Sequence, residues 1–144
     1  MGGGKADKRG IYSSWFDLME KVVANPLVDV LAHPGRLISQ NGIIEEFDKN
    51  VLKDFRSLFS GAREKGISIE LNDNAVGGFA TERLRKSYPD VIRLALEMGL
   101  KISLGSDAHR LDDIGRRDYI AGIIDTLGLL ETDIYVPKEC TGTI

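Results

Sequence analysis

The sequence predicts an α/β domain in which parallel strands alternate with helices. Three short apolar segments, 28–33, 67–72 and 101–106, each end in polar residues. The longer segments between them carry apolar residues at helical spacing. This alternation is typical of a parallel sheet, in which the carboxyl ends of the strands share one edge.

The first predicted element is a helix near 14–24. Ser14 and Asp17 have the spacing of a capping box, and the apolar residues that follow recur at helical intervals. The Asn-Pro dipeptide at 25–26 is expected to end this helix, and the strand 28–33 follows it.

A long amphipathic helix and a second strand come next. Gly66 is a plausible stop for the helix, and the strand 67–72 then alternates apolar and polar residues. The apolar stripe of the helix consists of Phe47, Val51, Leu52, Phe55, Leu58, Phe59 and Ala62.

The last part of the chain repeats the strand-helix pattern. A helix at 89–98 begins with a proline, which is favoured at the first helical position, and the strand 101–106 follows. A further helix is predicted near 113–127, and a short strand at 134–136 could add to the sheet.

Length and composition indicate one globular domain. The chain has 144 residues, of which 42% are apolar and 28% charged, as in ordinary soluble proteins. We expect a flexible leader at 1–10, the domain at 11–137 and a tail at 138–144. No apolar run approaches the ~20 residues of a membrane span. The single cysteine permits no intrachain disulfide, which fits a cytoplasmic location.

The charge balance argues against a nucleic-acid partner. The chain carries 19 basic and 22 acidic side chains, for a net charge of −3, whereas nucleic-acid-binding surfaces usually need a basic excess. Short basic clusters at 83–86 and 116–117 are expected to lie on solvated faces of helices.

The segment GLKISLGSDAHR at 99–110 carries the most informative motif. Asp107 and His109 follow a buried strand and are two positions apart, so an extended backbone directs both side chains to one side. A carboxylate and an imidazole held together form half of a site for Zn, Mn or Fe. The alternative is an aspartate that caps the following helix beside a solvated histidine.

Polar residues also mark the ends of the other two strands. His33 ends the first apolar segment, where Pro34 stops the strand because proline cannot donate to a ladder. Glu70 and Asn72 lie on the polar face of the second strand, near its end. Parallel α/β proteins place their sites at this edge, so these residues are expected to lie there together.

In this order, LAHPG, IELN and LGSDAH resemble the second half of the PHP (polymerase and histidinol phosphatase) domain, over roughly residues 26–128. The resemblance implies a partial (β/α)7 PHP-type barrel that lacks its first strands. It also implies a metal-dependent phosphoesterase that acts on a phosphate-ester small molecule. His33, Asp107 and His109 would be ligands of one or more divalent metals (Zn, Mn or Fe).

Other residues would complete the site that the resemblance implies. Glu70 and Asn72 would line the pocket. Arg36 and Arg110, each just after a ligand motif, could hold the substrate phosphate by bidentate hydrogen bonds. A surface ion pair is the alternative role for each arginine.

The chain also departs from the family pattern. PHP domains open with an HxH pair on the first strand, but this chain has only two histidines and no such pair. Metal could therefore be absent from the isolated chain. In family members the three matching ligands serve different metals, each completed from the absent half. This favours a second hypothesis, a non-catalytic PHP-like module with remnants of a metal site.

A half-barrel leaves a physical problem, because a few parallel strands cannot close and an open edge invites pairing. We expect the missing half to come from a second copy in a homo-oligomer, from a separate partner or from an upstream region. Alternatively, the sheet stays open between two layers of helices.

Overall fold

The computed structural model describes residues 7–106, 108 and 110–137. In chain order, the main elements are α1 (Lys8–Ala24), β1 (Val30–Leu31), α2 (Arg36–Gln40), α3 (Lys49–Glu64), β2 (Ser68–Asn72), α4 (Asp73–Gly77), α5 (Glu82–Ser87), α6 (Pro89–Glu97), β3 (Ile102–Gly105) and α7 (Ala121–Leu127). Two 3₁₀ helices span Leu111–Asp113 and Glu131–Asp133. Within the described ranges, no helix has the length and apolar character needed to cross a bilayer.

The described strands form one open parallel sheet in the order β1-β2-β3. Leu31 pairs with Ile69, and Asn72 pairs with Gly105. A single parallel bridge joins Ile134 to β3, where a short strand was predicted at 134–136. The parallel α/β prediction is confirmed. An open sheet of this size does not by itself establish a partial barrel, which stays a prediction.

The long helix α3 follows the sequence prediction closely. Its first turn is capped by Asp48, whose Oδ1 accepts a hydrogen bond from the backbone N–H of Val51 at 3.0 Å. Gly66 follows its end with a φ of 69°. Close contact with α1 depends on Gly61, where a Cβ would lie 3.2 Å from Cγ1 of Val23.

An aromatic cluster supports the chain just after β1. Gly35 adopts a φ of 93°, and a Cβ there would lie 3.2 Å from the Phe47 ring. Only glycine readily combines this backbone conformation with so close an approach. The rings that pack together are those of Phe47, Phe55, Phe59, Phe79 and Tyr88.

Helix α1 begins earlier than predicted. It starts at Lys8, so the capping-box interpretation of Ser14 and Asp17 is wrong and the helix extends into the segment expected to be a leader. The apolar stripe continues upstream through Tyr12, whose ring packs on Trp15. The Tyr12 hydroxyl also donates to Oδ2 of Asp54 at 2.8 Å, and these contacts extend the helix.

The helix predicted near 113–127 is also much shorter in the structure. Only α7, Ala121–Leu127, is α-helical, and Gly115 breaks the segment with a φ of 76°. The basic cluster at 116–117 therefore lies in a loop, and its placement on a helix was wrong. β1 is likewise shorter than the predicted 28–33.

Candidate functional site

The carboxylate of Glu70 connects the residues at the carboxyl edge of the sheet. Its Oε2 accepts a hydrogen bond from the backbone N–H of His33 at 2.9 Å, which ties the end of β1 to β2. Its Oε1 accepts from Nδ2 of Asn72 at 3.2 Å. The structure thus brings Glu70, Asn72 and the backbone of His33 together at one edge.

The same carboxylate also lies against Gly105 of β3. A Cβ at Gly105 would overlap Oε1 of Glu70 and would lie 3.1 Å from its carboxyl carbon. It would also lie 3.3 Å from Nδ2 of Asn72. The glycine at this position therefore provides the space in which the Glu70 carboxylate lies between the ends of β1 and β3.

His33 has a constrained backbone. Its φ of 26° is positive, which non-glycine residues seldom adopt and which often marks functional sites. The hydrogen bond to Glu70 holds this conformation on one side. On the other side, the buried hydroxyl of Tyr88 donates to the backbone oxygen of Pro34 at 3.1 Å. Burial, with a smaller contribution from the negative charge of Glu70, raises the pKa of Tyr88.

Asn72 links the strand end to the following helix. Its side chain is 2% exposed, and its Oδ1 accepts from the backbone N–H of Ala75 at 2.9 Å, which caps α4. Since its Nδ2 donates to Glu70, both ends of the amide have protein partners. This geometry fixes the direction from which Asn72 approaches the carboxylate.

Asp73 is a structural contributor that the sequence analysis missed. Its side chain is 3% exposed, and Oδ1 accepts from the backbone N–H groups of Tyr119 and Ile120 at 2.7 and 3.0 Å. The carboxylate therefore anchors the start of α7 beside the end of β2. An aspartate directly after a strand was the available signal, but its partners are more than forty residues away.

Two predicted ligands, Asp107 and His109, lie outside the described residues. They flank Ala108 and follow β3, while His33 follows β1. Because β2 lies between these strands, their ends are about 10 Å apart by ordinary strand spacing. In the described part of the chain, no cluster of three or more His, Cys, Asp or Glu side chains is arranged to hold a metal.

The two arginines predicted to hold phosphate lie in different local settings. Arg36 is in the first turn of α2 and, with His33, lines a cavity of about 280 Å³ between α1 and α2. Its Nε donates to Oε1 of Gln40 at 3.3 Å. Arg110 is exposed and directly precedes the first 3₁₀ helix.

A second cavity, of about 310 Å³, opens at the end of β3. One wall consists of Leu104, Gly105 and Ser106, and the other of the segment 115–117. The backbone N–H of Gly115 approaches Oγ of Ser106 at 3.4 Å and connects the two walls. The cavity is adjacent to Glu70 through Gly105.

The chain is similar to curated proteins named as probable phosphatases. It is 34% identical over 119 residues to one from Caldanaerobacter subterraneus subsp. tengcongensis, a match covering 81% of this chain and 38% of that protein. It is 32% identical over 120 residues to one from Clostridium novyi, covering 82% and 40%. It is 31% identical over 124 residues to one from Thermoanaerobacter sp., covering 81% and 44%.

The chain spans less than half the length of these relatives. No family model matches the chain, and no solved structure matches it significantly. The names of these relatives are consistent with a phosphoesterase.

Proposed function

We propose that the chain is part of a PHP-type metal-dependent phosphoesterase that hydrolyses phosphate esters. The observation that carries this proposal is the similarity over about four fifths of the chain to proteins named as probable phosphatases. The polar residues at the carboxyl edge of the sheet add support, because α/β proteins place their sites there.

In this proposal, His33, Asp107 and His109 hold divalent metals. Two imidazoles and a carboxylate are donors that suit Zn, Mn or Fe. As in the PHP pattern, these donors would serve more than one metal, and β2 lies between the two strands that they follow in sequence. A bound metal would supply a water of lowered pKa and neutralise charge on the phosphate.

The residues of the chain itself have separate roles in the proposal. Glu70 accepts the backbone N–H of His33 and so acts as a positioning residue for that imidazole. Asn72 fixes the Glu70 carboxylate through its amide. Arg36 and Arg110 are proposed to hold the substrate phosphate once the site is complete.

We further propose that another polypeptide segment completes the site, from a second copy of the chain, from a separate partner or from an upstream region. The relatives are more than twice as long as the matched region. Within the described sheet, β1 is an edge strand, and the outer backbone groups of an edge strand can pair with another strand. Leu27, next to this edge in sequence, is 86% exposed.

A non-catalytic PHP-like module is the second candidate. The hydrogen bonds of Glu70 favour this candidate, because both carboxylate oxygens already accept hydrogen bonds from the protein. Such a carboxylate serves the structure of the sheet edge whether or not chemistry takes place there.

Phosphate release from p-nitrophenyl phosphate, measured with Zn, Mn or Fe(II) added singly, tests the proposal. An enzyme should release phosphate only with metal, and Asp107→Asn should abolish that release. The matched control is Asp112→Asn, since Asp112 is an exposed carboxylate in the 3₁₀ helix that follows. No release with any of the metals would favour the module, whereas metal-independent release, or equal release by the Asp107→Asn and Asp112→Asn variants, would contradict the proposed metal site.

A further inference from the structure

The loop that follows β3 presents two arginines to the cavity of about 310 Å³. Arg116 and Arg117 line this cavity opposite the backbone of Gly105 and Ser106. Ser106 is the residue immediately before Asp107, so the cavity borders the segment that carries the proposed metal ligands.

Contacts upstream and downstream of the two arginines hold this loop in place. Downstream of the arginines, the Asp73 carboxylate accepts the backbone N–H groups of Tyr119 and Ile120. The Tyr119 ring packs so closely on Gly77 that a Cβ there would overlap it, with Cδ2 at 2.7 Å. Upstream, the N–H of Gly115 approaches Oγ of Ser106. The arginines are therefore held near the end of β3 by contacts on both sides of them.

The two arginines have different surroundings. Nε of Arg116 pairs with Oδ2 of Asp118 at 2.9 Å, which orients its guanidinium and offsets part of its charge. Arg117 lines the same cavity, and its backbone oxygen accepts the N–H of Ala121 at 3.1 Å. Arg117 is thus anchored through its backbone at the start of α7 and contributes the second positive charge.

We propose that Arg117, assisted by Arg116, binds the phosphate group of a small phosphate monoester in this cavity. A guanidinium donates paired hydrogen bonds that match phosphate oxygens, and two such groups suit the double charge of a monoester. A cavity of about 310 Å³ suits a small phosphorylated molecule. The identification of the ligand as substrate rests on the proposed phosphoesterase function, whereas phosphate binding itself does not.

Inorganic phosphate is the probe for this site, and isothermal titration of the full chain in the presence of a chelator measures its affinity. The chelator removes any contribution from bound metal. Arg117→Gln should raise the dissociation constant about tenfold, because it removes charge-assisted hydrogen bonds. Arg117→Lys, which retains the charge, should restore part of the affinity. Circular dichroism checks that each variant is folded.

Arg63→Gln is the matched control, because Arg63 is an exposed arginine in the last turn of α3. It should leave the affinity unchanged. Equal affinity in the Arg117→Gln variant and the wild type, or no binding of millimolar phosphate by the folded chain, would overturn the proposal.

The hydrolysis assay separates this proposal from the proposed function. Phosphate binding that depends on Arg117, without metal-dependent hydrolysis, would uphold the anion site and contradict the phosphoesterase. Metal-dependent hydrolysis that Arg117→Gln leaves unchanged would uphold the phosphoesterase and overturn the identification of the ligand in this cavity as its substrate. A monoester such as phenyl phosphate should compete with inorganic phosphate, and a diester such as diphenyl phosphate should compete far more weakly.

Discussion

The backbone N–H of His33 donates to Oε2 of Glu70 at 2.9 Å, across the junction between β1 and β2. This bond joins a proposed metal ligand with a strained backbone to a carboxylate in the central strand. Because the second carboxylate oxygen accepts from Asn72, the position of His33 depends on a short hydrogen-bonded chain.

Glu70→Gln should therefore destabilise the protein by about 1–3 kcal/mol. If the glutamine oxygen accepts the N–H of His33, its NH₂ group must face the NH₂ group of Asn72, and two donors then meet. Urea denaturation measures the loss, with the exposed Glu20→Gln as control. Equal midpoints for the two variants would contradict a structural role for the carboxylate.

Gly105→Ala should also be destabilising, by about 1–3 kcal/mol, because the new methyl group would overlap the Glu70 carboxylate. Gly122→Ala is the matched control, since nothing lies within 4 Å of a Cβ at that helical position. The control should be neutral or stabilise by up to about 1 kcal/mol. Thermal melts of both variants test the contrast, and similar melting temperatures would refute it.

Asp73→Ala should cost about 2 kcal/mol, because it leaves two backbone N–H groups at the start of α7 without their acceptor. Amide hydrogen exchange should become faster at Tyr119 and Ile120. Asp125→Ala, an exposed site within α7, should change stability by less than about 0.5 kcal/mol. Unchanged protection of the two amides in Asp73→Ala would argue against the anchor.

The stability of the protein should fall in alkaline solution. Burial, with the charge of Glu70, raises the pKa of Tyr88, and burial with the Asp54 hydrogen bond raises that of Tyr12. The folded protein therefore favours the neutral form of each tyrosine. The resulting stabilisation is fully present below pH ~10, the ordinary tyrosine pKa, and is lost as the pH rises beyond it. Tyr88→Phe should flatten the decline in unfolding free energy above that pH. Identical slopes for wild type and variant would contradict the assignment.

Local signals predicted the regular elements well. The apolar stripe and Asp48 define α3, and the proline at the first position of α6 defines its start. The region after β3 was predicted poorly, because a backbone turn at Gly115 and the distant Asp73 determine where α7 begins. The periodicity of one segment does not contain information about such a partner.

The candidate site shows the same division between local and tertiary information. Strand ends in the sequence indicated that Glu70 and Asn72 belong to the carboxyl edge, and the structure places them there beside His33. Their functional roles stay predictions. The cavity bordered by Arg116 and Arg117 could not be found from the sequence, because it depends on a loop where a helix was expected.

The metal content of the purified, tag-free chain tests the central claim most directly. Elemental mass spectrometry after exhaustive desalting should find at least one equivalent of Zn, Mn or Fe per chain. His33→Ala and Asp107→Ala should each lower that content, while Asp112→Ala, an exposed carboxylate outside the motifs, should leave it unchanged. Metal at background level in the wild type, or equal content in all variants, would contradict a metal site formed by this chain itself.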